Sequence, residues 1–250
     1  MLVYIEKSVK NLETTKKILS RLWKNTQILE IDHYKNIFDK SIKDNKISQS
    51  IILARSRWTT VLQAPEWYWY TPYSFFVRFV LNCIFDCKYC YLKWAFKSRI
   101  PVIFVNYEEI AEEIQNFILN FRKNHSTEKI CFYASNYWDI QAIDNIIGFN
   151  DFFIPFFEKF KNVIVESRTK SSNIQTLLKL ENIPKNFEIA FSLNPEEICK
   201  EYEIWASKLQ NRIFAINQLL EKWFKVGLRF LPIIAIWQIF FWLQINAKKY

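Results

Sequence analysis

The chain has 250 residues, half of them hydrophobic and 18% aromatic, which excludes a disordered protein and supplies enough apolar surface for a sizeable core. Its 34 basic and 25 acidic residues leave a net charge of +9, which favours nucleic acid or another anionic surface as a partner without choosing between them. The N-terminal apolar stretch is too short for a signal peptide, so a cytoplasmic protein is expected, and in that reducing compartment five cysteines point to metal ligands or buried thiols rather than disulfides.

Taken in chain order, residues 1–60 read as a lysine-rich helical extension packed against the first strand of a domain over 61–250. From residue 73 short apolar runs alternate with helical ones, the signature of βα units and a parallel sheet. Strands are predicted at 73–81, 129–135, 162–167, 187–193 and 226–234. Helices are predicted at 108–121, 172–180 and 209–222. The first of these lines up Ile110, Ile114, Phe117, Ile118 and Phe121 on one face, with acidic residues in its first turn. Such crossovers wind right-handedly and give an open sheet or a partial barrel, whose chemistry sits at the C-terminal strand ends. The apolar stretch 231–245 begins near Pro232 and contains Gln238 and Gln244. It is shorter than the roughly 20 residues a membrane span requires and reads as a buried strand followed by a helix, so no membrane partner is expected.

Glycine and tryptophan are both abnormal. The chain has two glycines and ten tryptophans, whereas ordinary usage of about 7% would give roughly 17 glycines. Trp23 and Trp223 follow helical patterns, at positions that favour a left-handed residue without a Cβ. Trp67 and Trp69 lie in a loop-like stretch opened by proline. The expectation is that several of these codons are read as glycine in the cell.

The densest chemistry is Cys83-Ile-Phe-Asp-Cys87-Lys-Tyr-Cys90, which places three thiols directly after the first predicted strand. Three cysteines can hold three irons of a cubane and leave the fourth open to a chelating ligand. A structural zinc site would need a fourth ligand from Cys131, Cys199, His33 or His125, none of which has the paired spacing usual for zinc.

With an aromatic before its last cysteine, this C-x3-C-x2-C loop resembles the radical S-adenosylmethionine signature, and CIFDCKYCYLK followed by VNYEEI resembles the spore photoproduct lyase family. The likeness continues through DIQAID, TKSSNIQTLLKL, FEIAFSLNPE and NRIFAINQLL, over roughly residues 55 to 235. It implies an α/β fold, a partial (β/α)6 TIM-like barrel with about five of its six strands present. It also implies a 4Fe–4S cluster on Cys83, Cys87 and Cys90, with S-adenosylmethionine across the strand ends. Tyr89 matches an aromatic on the adenine side, Lys170 and Ser192 match cofactor-contacting residues, and Asp139 falls beside the cofactor's amino group, where related enzymes often have a glycine-rich turn. Trp138 would fill that space. The implied partners are DNA carrying a thymine photoproduct and an electron donor such as flavodoxin or ferredoxin.

Two departures from the family pattern stand out. The extra cysteine that serves the lyase as hydrogen-atom donor, three residues before the aspartate, is Asn136 here. The chain also stops where the family continues, so the sixth strand and a C-terminal hairpin region are expected to be missing.

Overall fold

The structure, a computed structural model, describes residues 1–39, 50–68, 70–134 and 138–234. The described residues of 1–60 do not form a helical extension. They hold three strands, β1 (Leu2–Glu6), β2 (Gln27–Ile31) and β3 (Ser50–Ala54), which pair in parallel with β1 in the middle. Among the described residues of this stretch, only the helix Glu13–Ser20 keeps the helical reading at any length. LVYIE and SIILA are five-residue apolar runs whose partners lie dozens of residues away, so their strand character comes from long-range pairing that local periodicity does not report.

A second sheet begins with β4 (Val61–Gln63), antiparallel to β5 (Tyr73–Val77). The strand expected over 73–81 is broken after Val77. Its continuation, β6 (Val80–Leu81), crosses to the first sheet, where β8 (Val102–Phe104) bridges β6 and β3; between them in sequence lies β7 (Asp86–Cys87), which belongs to neither sheet. The remaining strands of the second sheet are β9 (Ile130–Tyr133), β10 (Val163–Thr169) and β11 (Phe187–Ser192); the short β12 (Glu203–Ile204) pairs with β7, and β13 (Lys225–Arg229) completes the second sheet beside β11. The order is therefore β4-β5-β9-β10-β11-β13, five parallel strands in chain order with one antiparallel edge. This is an α/β fold with parallel sheets, and among the described residues no closed barrel forms.

Successive side chains of a strand face opposite ways, and the two faces of this sheet differ sharply. Phe75, Phe132, Val163, Val165, Phe187, Ile189 and Phe191 share the main core with Ile110, Ile114 and Ile118 of the helix Tyr107–Arg122 and with Phe149, Phe153 and Phe157 of the helix Phe149–Glu158. Each such phenylalanine contributes about 1.5–3 kcal/mol of burial. The opposite face is polar. On it Arg168 donates to Glu166 at 2.6 and 2.8 Å, its guanidinium lies 4.4 Å from the centroid of the Tyr68 ring, and Arg229 reaches both Glu166 and, at 2.9 Å, Glu188. The helices expected at 108–121 and 209–222 are present as Tyr107–Arg122 and Leu209–Glu221, while that expected at 172–180 shrinks to Gln175–Leu178. Within 231–245 the residues from 235 on lie outside the described residues, and no described helix is long and apolar enough to cross a membrane.

Candidate functional site

The triple-cysteine loop opens on Asn82, one of the non-glycine residues with a left-handed backbone, at φ 69°. Asparagine tolerates this conformation because its short side chain can bond locally. Here its Oδ1 accepts the Cys83 N–H at 2.8 Å while its Nδ2 donates to the Ser98 carbonyl at 2.7 Å. Five residues on, the loop is pinned a second time: β7 pairs with β12, setting Cys87 opposite Glu203, and the Lys88 N–H donates to the Tyr202 carbonyl at 2.7 Å. A turn then carries the chain into the short helix Leu92–Ala95, with the Cys90 N–H donating to the Cys87 carbonyl at 3.1 Å.

All five cysteines are free thiols. Cys87 is buried, and Cys83 and Cys90 are partly exposed. Burial pushes the Cys83 thiol up to about 12, with the Asp139 carboxylate adding to the effect and the Phe85 and Asp139 amides opposing it. Burial raises Cys87 to about 11 against the pull of the Lys170 ammonium. Among the described residues no three His, Cys, Asp or Glu side chains converge on one point. A cubane gives each thiolate its own iron and does not require the three sulfurs to meet. Cys131 and Cys199 stand apart: Cys131 packs with Ala64, Phe76 and Tyr133 on the second sheet, and Cys199 donates to the Asn194 carbonyl at 3.3 Å.

The other expected residues gather at the C-terminal strand ends. Asp139 is buried, and both of its carboxylate oxygens are engaged. Oδ1 accepts from Thr169 Oγ1 at 2.8 Å and from the Ala142 N–H at 3.0 Å; Oδ2 accepts from the Lys170 N–H at 2.6 Å. Burial raises its carboxyl, and the Lys170 amide leads the donors that oppose the rise. Asp139 therefore ties the end of β10 to the turn Ile140–Ile143, and its own amide is the part turned toward Cys83. The Lys170 ammonium stands 5.8 Å from the centroid of the Tyr89 ring. Asn136 lies outside the described residues.

The sequence reading missed the pair that holds this group together. Tyr89 Oη donates to Glu203 Oε1, which also accepts from Asn194 Nδ2 at 2.9 Å. Glu203 Oε2 accepts from Arg212 Nη2 at 2.5 Å, both side chains being wholly buried. Arg212 spends its other donors on two carbonyls, that of Ser192 at 2.9 Å and that of Ser207 at 2.8 Å. Burial works against ionisation of Glu203, but the donors led by Tyr89 outweigh it and hold the carboxyl below its usual range. A chain of contacts thus runs from Ser192 through Arg212 and Glu203 to Tyr89 inside the cysteine loop. One signal was available: Arg212 occupies the apolar stripe Arg212, Ala215, Ile216, Leu219 of its helix, where a charge requires a buried partner.

Solved structures similar to this one share its fold. A spore photoproduct lyase complexed with the dinucleoside spore photoproduct matches with a TM-score of 0.81 at 17% identity, covering 99% of this chain and 73% of its own. A variant of that enzyme with bound AdoMet and the dinucleoside photoproduct matches at 0.80 and 18% identity, covering 94% of this chain and 68% of its own. The α/β fold is theirs. In sequence, the Bacillus subtilis spore photoproduct lyase is 28% identical over 159 residues, 63% of this chain and 45% of that protein, so the match spans less than half of the relative's length. The family model described as spore photoproduct lyase matches residues 2–241, and the chain belongs to that family.

Proposed function

We propose that the protein is a radical S-adenosylmethionine enzyme of the lyase type that acts on a DNA photoproduct. The observation that carries this reading is the C-x3-C-x2-C loop, pinned at both ends beside the C-terminal ends of β10 and β11, in a chain whose family match runs almost end to end. Cys83, Cys87 and Cys90 would hold the 4Fe–4S cluster, and the donor set fits: three free thiols on one loop. When bound, the cluster supplies the electron that cleaves S-adenosylmethionine to a 5′-deoxyadenosyl radical.

The chain's own residues prepare that step. Lys170 and Tyr89 form a cation and ring pair at the edge of the loop, suited to an anionic carboxylate and to the flat face of an adenine. The Asp139 carboxylate, fully occupied, fixes the turn on which its own amide faces Cys83. The polar face bearing Arg168, Glu166, Arg229 and Glu188 has its charges paired internally, which suits a neutral base better than a phosphate. Winding of the five parallel strands as a partial (β/α)6 barrel would make this face the inner wall.

A second reading is favoured by one residue. Asn136 replaces the thiol that donates a hydrogen atom in the lyase, and an amide N–H bond is too strong for that role, so the same radical chemistry would serve a different substrate. The test is anaerobic: protein reconstituted with iron and sulfide, dithionite and S-adenosylmethionine should release 5′-deoxyadenosine. Failure to do so at full iron content would sink the proposal. Lesion-bearing DNA, then RNA or peptide, separates the two readings.

A further inference from the structure

Among the described residues, the left-handed region holds five positions: Gly148, two asparagines and two tryptophans, Trp205 at φ 66° and Trp223 at φ 64°. Glycine and asparagine are the expected occupants, and a bulky residue there is an outlier. Trp223 lies at φ 64°, the value of Gly148 at the end of the helix Asp144–Ile147.

The surroundings of both tryptophans specify glycine by their hydrogen bonds. Past the helix Leu209–Glu221, the Phe224 N–H donates to the Leu219 carbonyl at 3.0 Å and the Trp223 N–H to the Leu220 carbonyl at 2.9 Å. That is the Schellman pattern, with Trp223 at its left-handed position and buried Phe224 and Leu219 supplying its hydrophobic contact. Trp205 is the third residue of a turn closed by the Ala206 N–H on the Glu203 carbonyl at 3.2 Å, with the positive φ that a type II turn gives to glycine. Nothing is gained from the side chains, since Trp205 is 59% exposed and Trp223 is 88% exposed.

Trp138 is the opposite case. It is 5% exposed, and its indole N–H is buried without an acceptor. Its indole packs in the main hydrophobic core on a backbone without positive φ, and the residue immediately precedes Asp139, whose amide faces Cys83. Trp23 has no positive φ either and is 81% exposed, so neither its backbone nor a buried polar atom asks for glycine; Trp67 lies in the short 3-10 helix Glu66–Tyr68, and Trp69 lies outside the described residues.

We propose that the codons at 138, 205 and 223 are read as glycine in the cell that makes this protein, and that loss of the indole at 138 opens the space beside Asp139 and Cys83 in which the S-adenosylmethionine of the proposed function binds. One altered codon reading accounts for two strained turns and one orphaned buried donor, and it moves both the tryptophan surplus and the glycine deficit toward ordinary usage. The part concerning 138 rests on the proposed function, whereas the parts concerning 205 and 223 do not.

The test has two arms. Peptides of the protein isolated from its own cells are weighed: the mass of glycine at 205 and 223 is expected, and tryptophan at either would overturn the proposal. In protein made in a host that reads the codon as tryptophan, Trp205→Gly and Trp223→Gly should each raise the unfolding midpoint by about 2–4 °C. Trp94→Gly, in a helical turn of ordinary backbone, should not, and an equal rise there would count against the argument. Trp138→Gly should tighten binding of S-adenosylmethionine roughly tenfold, measured by equilibrium dialysis at unchanged iron content. Unchanged binding beside glycine masses at 205 and 223 would overturn the cofactor part alone, and absence of 5′-deoxyadenosine with tight binding would strike the proposed reaction instead.

Discussion

Replacing Arg212 by Met would leave the Glu203 carboxylate buried with only Tyr89 and Asn194 as donors, and would strip the Ser192 and Ser207 carbonyls of theirs. Removing one partner of a fully buried ion pair costs about 3–5 kcal/mol. Against a total stability of about 5–15 kcal/mol that is a large fraction. For a chain of this length it corresponds to a fall in the unfolding midpoint of roughly 6–20 °C. Glu203→Gln should cost less, because the amide oxygen keeps an acceptor for Tyr89 and Asn194 and only the guanidinium loses its counter-charge. Replacing both residues by apolar ones of similar volume should recover part of the loss, since the penalty belongs to the unpaired charge rather than to the absence of the pair.

The consequence for the cysteine loop is separable from global stability. In iron-free protein, hydrogen exchange over residues 83–90 should rise in Tyr89→Phe, while β9, β10 and β11 stay protected, because β7 is held chiefly by β12 and by the bond from Tyr89 to Glu203. The pH dependence follows from the depressed Glu203 carboxyl. Its stabilising effect is complete above the unfolded-state value of about 4.3 and is lost as pH falls through the lower folded-state value, so Glu203→Gln should flatten the acid limb of the stability curve. Urea titrations between neutral and acidic pH measure this. A loss under about 1 kcal/mol in Arg212→Met, or exchange that rises evenly over the whole chain, would refute the reasoning.

Changing any one of Cys83, Cys87 or Cys90 to Ala should abolish iron binding in anaerobically reconstituted protein, whereas Cys131→Ala and Cys199→Ala should keep it; stoichiometric zinc without iron would contradict this. Lys170→Ala should weaken binding of S-adenosylmethionine with iron content unchanged, and simultaneous loss of iron would mean that the lysine supports the loop instead. Asp144, whose carboxyl burial pushes up to about 6, is favoured in its protonated form by folding. It therefore costs stability progressively as pH rises from about 3.9 to that value, so Asp144→Asn should gain up to about 3 kcal/mol at pH 7.5 and nothing at pH 3.5, read from urea midpoints. Asn136→Cys should raise any repair yield on lesion-bearing DNA, and efficient, clean repair by the unaltered protein would remove the basis for that expectation.

What could be read in the sequence divides by the range of the cause. The strands from 130 onward were legible because apolar residues are buried where the pattern put them, and the cysteine motif stood out because it is local, three thiols within eight residues. The first 60 residues misled for the converse reason. β2 lies at a sheet edge with Ile28 and Leu29 exposed, and β3 is buried throughout, so neither shows the alternation of a half-buried strand. Glu203 and Arg212 were invisible for a further reason. Their meaning lies in Tyr89, separated from Glu203 by 114 positions, and no window along the chain contains both. Trp223 is the informative intermediate. Composition alone raised the anomaly, the helical pattern before it named the place, and only the two carbonyls accepting from Phe224 and Trp223 show that the backbone has the form of a glycine cap. A local rule broken without compensating contacts is ordinarily a functional or strained site. Here the broken rule falls on an exposed helix end that touches no part of the cysteine site, so the discrepancy lies with the identity of the residue rather than with the fold.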